Sequence, residues 1–154
     1  MEAPQFSHVA LNCRDLLKME RFYSVHFKFR RARVVPLGED RIVFLKLGQT
    51  YLELFNAGGS SPLPAAANDG NTFAGVRHIA FRVENVDAAL AAMGGDARVT
   101  LGPLSFDEFI PGWRTAWLAD PEGNIIEISQ GYVDQPDPPP PPSGSETAWT
   151  HPAR

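Results

Sequence analysis

His8-Val9-Ala10-Leu11-Asn12-Cys13-Arg14-Asp15-Leu16 and His78-Ile79-Ala80-Phe81-Arg82-Val83-Glu84-Asn85-Val86 are the two stretches whose reading decides the fold. Laid over one another, each reads His, apolar, Ala, apolar, polar, apolar, and then polar residues that open a helix. A second pair follows downstream: Tyr51-Leu52-Glu53-Leu54-Phe55-Asn56 and Ile125-Ile126-Glu127-Ile128-Ser129-Gln130. Glu53 follows His8 by 45 residues, and Glu127 follows His78 by 49. Matched order at matched spacing marks an internal repeat, and a repeat constrains architecture before any single residue is assigned.

Each half reads β-α-β-β-β. The first opens with a strand at about 6–13. Asp15 is placed to cap a helix over 16–27, where Leu16, Met19, Phe22 and Tyr23 recur at helical spacing. Strands follow near 30–36, 41–47 and 50–56, separated by the turn residues Gly38-Glu39-Asp40 and Gly48-Gln49. The second half repeats the order with a strand at 76–83 and a helix at 86–93 that Gly94-Gly95 stops. Strands are then predicted near 96–101, 113–119 and 124–130, the last two joined by the tight turn Asp120-Pro121-Glu122-Gly123-Asn124. The expected class is α+β: two tandem βαβββ modules at 5–56 and 75–132 within one domain, 1–132. Residues 57–74 read as a linker and 102–112 as a long loop. A Pro-rich tail, 133–154, with five consecutive prolines at 138–142, is expected to be extended or disordered.

Composition narrows the function. Forty-four per cent apolar residues in a chain of 154 can form a sizeable core. A net charge of −4 without a basic stripe argues against a nucleic-acid partner. No apolar run approaches the ~18 residues that span a bilayer, and no secretory signal is visible at the N-terminus. The single cysteine, Cys13, suits a reducing compartment, so a cytoplasmic protein is expected.

Strand parity then groups the ionisable residues. Side chains alternate faces along a strand, so Val9, Leu11 and Cys13 oppose His8, Ala10 and Asn12. Ile79, Phe81 and Val83 likewise oppose His78, Ala80 and Arg82. Leu52 and Leu54 oppose Glu53, and Ile126 and Ile128 oppose Glu127. Singly, either His reads most simply as a hydrogen-bonded structural residue, and either Glu as an exposed residue on a one-sided sheet. Together, two imidazoles and two carboxylates on equivalent faces point to one divalent metal ion, because paired carboxylates need a counter-charge. Such ligands suit Zn, Ni, Co, Mn or Fe rather than Ca, and the donor set does not choose among them.

These segments, with Arg21-Phe22-Tyr23 and Asp120-Pro-Glu-Gly-Asn, resemble the vicinal oxygen chelate superfamily over residues 5–132. That group includes glyoxalase I, methylmalonyl-CoA epimerase, extradiol dioxygenases and fosfomycin resistance proteins. The resemblance implies sheets that curl into a barrel-like mixed sheet around the metal, with helices on the outer face, commonly in a homodimer. Ring-cleaving dioxygenases and fosfomycin transferases of the group lack a ligand where Glu53 stands. The set His8, Glu53, His78 and Glu127 is therefore most similar to the bacterial glyoxalase I arrangement. It implies a lyase or isomerase that removes a proton beside a chelated carbonyl of a small molecule, with Glu127 as base and Glu53 as its partner. Glyoxalase I usually carries Arg four residues after its first His. Here that position is Asn12, and Arg82 occupies the repeat-related one. Asn12, Tyr51, Phe55, Arg82 and Trp113 are the candidate substrate-pocket residues. An iron-dependent dioxygenase and a non-enzymatic small-molecule or antibiotic-binding protein are the competing readings.

Overall fold

The computed structural model describes residues 3–140. Its first half runs β1 (His8–Cys13), α1 (Leu16–Phe27), β2 (Arg30–Leu37), β3 (Asp40–Leu47) and β4 (Thr50–Asn56). These strands form a sheet in the order β1-β4-β3-β2, with β1 parallel to β4 and the other pairs antiparallel. The second half runs β5 (Ile79–Arg82), α2 (Val86–Met93), a 3₁₀ turn (Gly94–Asp96), β6 (Arg98–Ser105), β7 (Arg114–Ala119) and β8 (Ile125–Gln130). Its sheet repeats the topology as β5-β8-β7-β6, again with one parallel pair. The chain is thus α+β with two four-stranded mixed sheets, and the described residues form no closed barrel.

Local chemistry sets the element ends. The Asp15 carboxylate accepts the Lys18 N–H at 3.0 Å and starts α1, while Asn85 does the same for α2 through Ala88 at 2.8 Å. Helix α1 stops at Lys28, whose left-handed conformation (φ 62°) brings its backbone N–H to the Tyr23 carbonyl. Both helices match the predicted spans. Strand β5 is shorter than predicted, and His78 lies one residue before it. Strand β6 is longer and takes in the first part of the predicted loop, because Leu104 and Ser105 pair with Thr115 and Arg114 beyond a register shift. Residues 133–140 have no helix or strand and are exposed, and the rest of the predicted tail, 141–154, lies outside the described residues.

One core joins the halves. Met19 and Tyr23 of α1, Leu45 and Leu54 of the first sheet, and Leu118, Ile126 and Ile128 of the second are all buried in a single cluster with Val86. Phe27 of α1 packs on Phe81 of β5 with ring centroids 4.3 Å apart. Polar contacts reinforce the junction. The Tyr23 hydroxyl donates to the fully buried Asp120 at 2.9 Å, and the Asn124 side chain donates to the same carboxylate oxygen. Glu122 accepts the backbone N–H groups of Arg14 and Asp15 and the Arg14 Nε, at 2.8 to 3.0 Å. The turn predicted at 120–124 therefore does more than reverse the chain: it holds the β1–α1 corner of the other half. Among the described residues, no helix is long and apolar enough to cross a membrane.

Candidate metal centre

Register places His and Glu identically in the two halves. Ala10 pairs with Glu53 across β1 and β4, and Ala80 pairs with Glu127 across β5 and β8. Each His lies two residues before that Ala, and therefore on the same face as its Glu. In the second half the two groups meet, with His78 Nε2 at 2.7 Å from Glu127 Oε2. In the first half they are looser, with His8 Nδ1 at 3.6 Å from Glu53 Oε1. The His8 ring is about half exposed, and Ser7 Oγ lies 3.2 Å from the same nitrogen.

The second pair is held from behind. His78 Nδ1 lies 2.8 Å from the Asp69 carbonyl oxygen, which only accepts. The hydrogen-bond network therefore assigns the Nδ1–H tautomer and leaves the Nε2 lone pair facing the Glu127 carboxylate. The other carboxylate oxygen of Glu127, Oε1, accepts the Thr115 hydroxyl at 2.8 Å. Two electron-rich atoms 2.7 Å apart call for a positive charge, which a proton or a metal ion supplies. Anchoring both groups by hydrogen bonds at their far atoms is how proteins orient metal ligands. The donors present, one imidazole nitrogen and one carboxylate in each half, fit Zn²⁺ and the later first-row divalent ions.

The linker contributes to this order. Arg77 pairs with the Asp69 carboxylate, and its hydrogen bond holds that group below the usual aspartate range. The Thr100 hydroxyl donates to the Asn68 carbonyl at 2.5 Å. Residues 68 and 69, read from sequence as part of a linker, thus carry the carbonyl that fixes His78.

Among the described residues, no group of three or more His, Cys, Asp or Glu side chains is placed to hold a metal. The four candidates resolve into two pairs. Each sheet turns its buried Leu and Ile residues to the common core, so each pair sits on the far face of its own sheet.

The candidate pocket residues divide in the same way. A cavity of about 240 Å³ adjoins Glu127 and is lined by Ala80, Arg82, Trp113, Ser129 and Tyr132 among others. Asn12, Tyr51 and Phe55 do not line it. They lie on the β1–β4 face with Glu53, where Asn12 is exposed and Lys46 sits over the Tyr51 ring at 5.3 Å. Trp117 is 7% exposed, and its ring centroid lies 6.3 Å from that of His78. Thr115, Ser129 and Tyr132 did not emerge from the sequence as site residues. Parity would have found the first two, since β7 pairs Trp117 with Glu127 and Thr115 with Ser129. The Asp69 carbonyl carries no sequence signal.

Comparison with known proteins agrees with this geometry. Mouse mitochondrial methylmalonyl-CoA epimerase is 33% identical over 88 residues, which is 56% of this chain and 49% of the mouse protein. The chain thus spans about half the length of the curated relatives it matches. A glyoxalase family protein from Enterococcus faecalis superposes with a TM-score of 0.62 at 28% identity, covering 81% of this chain and 96% of that one. The trypanothione-dependent glyoxalase I of Leishmania major superposes with a TM-score of 0.61 at 25% identity, covering 84% and 88%. A family model matches residues 5–128, and the chain belongs to the Glyoxalase/Bleomycin resistance protein/Dioxygenase superfamily.

Proposed function

We propose that this chain is a metal-dependent isomerase or lyase acting on a small carbonyl compound, with its centre assembled between two copies. His8 and Glu53 of one copy would face His78 and Glu127 of the other. The observation that carries this reading is the repetition of a His–Glu pair at the same register in both halves, with no third ligand beside either pair. Joining the two pairs across copies supplies four ligands and leaves coordination positions for substrate. A similar protein named as an epimerase and another named as a glyoxalase I support the reaction class.

A divalent ion in this set supplies a Lewis acid that polarises a substrate carbonyl. The residues supply the rest. Thr115 fixes Oε1 of Glu127 and leaves Oε2 as the oxygen available to take a proton. Glu53 stands at the equivalent place in the first half and would serve the opposite face of the substrate. The Asp69 carbonyl keeps the His78 lone pair on Nε2 and directed into the site.

Light scattering combined with elemental analysis tests the assembly. The expected result is a dimer carrying one metal ion per chain, with His78→Ala losing the metal and keeping the dimer. A monomer with a full metal complement overturns the shared centre.

A further inference from the structure

Resting on that reading, we infer that the cavity beside Glu127 receives an oxyanion of the substrate. A carboxylate or phosphate on a flat apolar body would be gripped by Arg82 against the wall made by Trp113 and Tyr132. Arg82 and Glu127 line the same cavity. Arg82 is exposed at the end of β5, and among the described residues no hydrogen-bond or ion-pair partner engages its guanidinium. Its neighbours in the same half are occupied: Arg77 is paired with Asp69, and Arg114 with Asp87. Glu127, the one carboxylate in the lining, already faces His78 and Thr115. The cavity therefore holds a cation whose counter-ion the described chain does not provide.

The wall is fixed before a ligand arrives. Trp113 Nε1 donates to Ser129 Oγ at 3.2 Å, and its ring packs between Phe106 at 4.9 Å and Tyr132 at 5.8 Å. Asp107 ties the loop beneath, accepting the Gly112 N–H at 2.7 Å and the Ser105 hydroxyl. A guanidinium next to a fixed aromatic face suits a planar molecule with a bidentate oxyanion. Arg82 pairs in register with Ser129, two residues past Glu127, or about 7 Å along the strand. The anion would thus sit a few bonds from the carbon that Glu127 serves.

Titrations followed by the Trp113 indole N–H resonance, assigned with Trp113→Phe, test this without needing turnover. The probes are benzoate, phenyl phosphate and neutral benzamide at fixed ionic strength. At least one anion should shift the resonance saturably and bind at least tenfold more tightly than benzamide; the tighter of the two identifies the head group. Arg82→Gln should weaken that anion at least tenfold and leave benzamide unchanged, with Arg82→Lys intermediate. Equal binding of benzamide, no saturable shift from either anion, or undiminished anion binding by Arg82→Gln overturns the inference. Elemental analysis of the same samples separates the two proposals. Metal without Arg82-dependent binding fails only this one, and Arg82-dependent binding without metal fails only the metal centre.

Discussion

Replacing Thr115 by Val removes one hydroxyl and leaves the shape of a β-branched side chain in place. Thr115 is 1% exposed, and its Oγ1 donates to Glu127 Oε1 at 2.8 Å. A hydrogen bond to a charged acceptor contributes about 1.5–3 kcal/mol, and each 1.4 kcal/mol is tenfold in affinity. Substitutions behind a metal ligand typically cost about 10–100-fold in metal affinity, the same range reached from the other direction. Competition with a chromogenic chelator should therefore show the divalent ion held about 10–100-fold more weakly in Thr115→Val. Thr115→Ser, which restores the hydroxyl, should recover most of that loss. The metal-free variant should still unfold cooperatively, at a temperature lower by several degrees. If Thr115→Val binds metal within twofold of the unmodified protein, the hydroxyl does not orient a ligand, and the assignment of Glu127 fails with it.

Other perturbations probe the frame around the site. In Glu122, burial acts to raise the carboxyl, but the Arg14 guanidinium and two backbone N–H groups outweigh it and hold the group below its ordinary value. A carboxyl depressed by folding stabilises above its unfolded value, about 4.3, and that stability is lost as pH falls toward the folded value. Denaturant melts from pH 7 down to 3 should therefore show a steeper acid loss for the unmodified chain than for Glu122→Gln. Cys13 is fully buried, and burial together with the Glu122 and Asp120 charges pushes its thiol up to about 12. Iodoacetamide at pH 8 should leave it unmodified, read by intact mass, until denaturant is added. Gly131 has φ 77°, and a Cβ there would lie 2.2 Å from the Gly112 carbonyl oxygen. Gly131→Ala should cost about 2 kcal/mol or more in chemical denaturation and broaden the Trp113 indole resonance, because the same Cβ would press on the Trp113 backbone.

Much of the site was legible because strand alternation is a backbone property. Once His8, Glu53, His78 and Glu127 were placed on strands opposite Leu and Ile neighbours, each pair had to share a face. Whether the two pairs meet is a different kind of fact. It depends on how the two halves pack, and here Leu54, Ile126 and Ile128 enter one core with α1, leaving the pairs on separate outer faces. No residue pattern along the chain states that packing. The Asp69 carbonyl was illegible for a related reason: every residue has a carbonyl, and only the tertiary path of 57–74 brings this one to His78. The β7–β8 turn was readable as a turn from Pro121 and Gly123. The clamp from Glu122 to Arg14 was not, since it joins positions 108 residues apart.

The shared centre is tested most directly by mixing. Purified His8→Ala and His78→Ala should each bind little metal alone. Unfolded together at equal ratio and refolded, they form mixed dimers in which one centre combines the intact first half of one copy with the intact second half of the other. The account predicts that the mixture regains about one quarter of the unmodified metal content, since half of random dimers are mixed and each restores one of its two centres. Metal content that stays at the level of the separate variants, while light scattering shows mixed dimers, would contradict it.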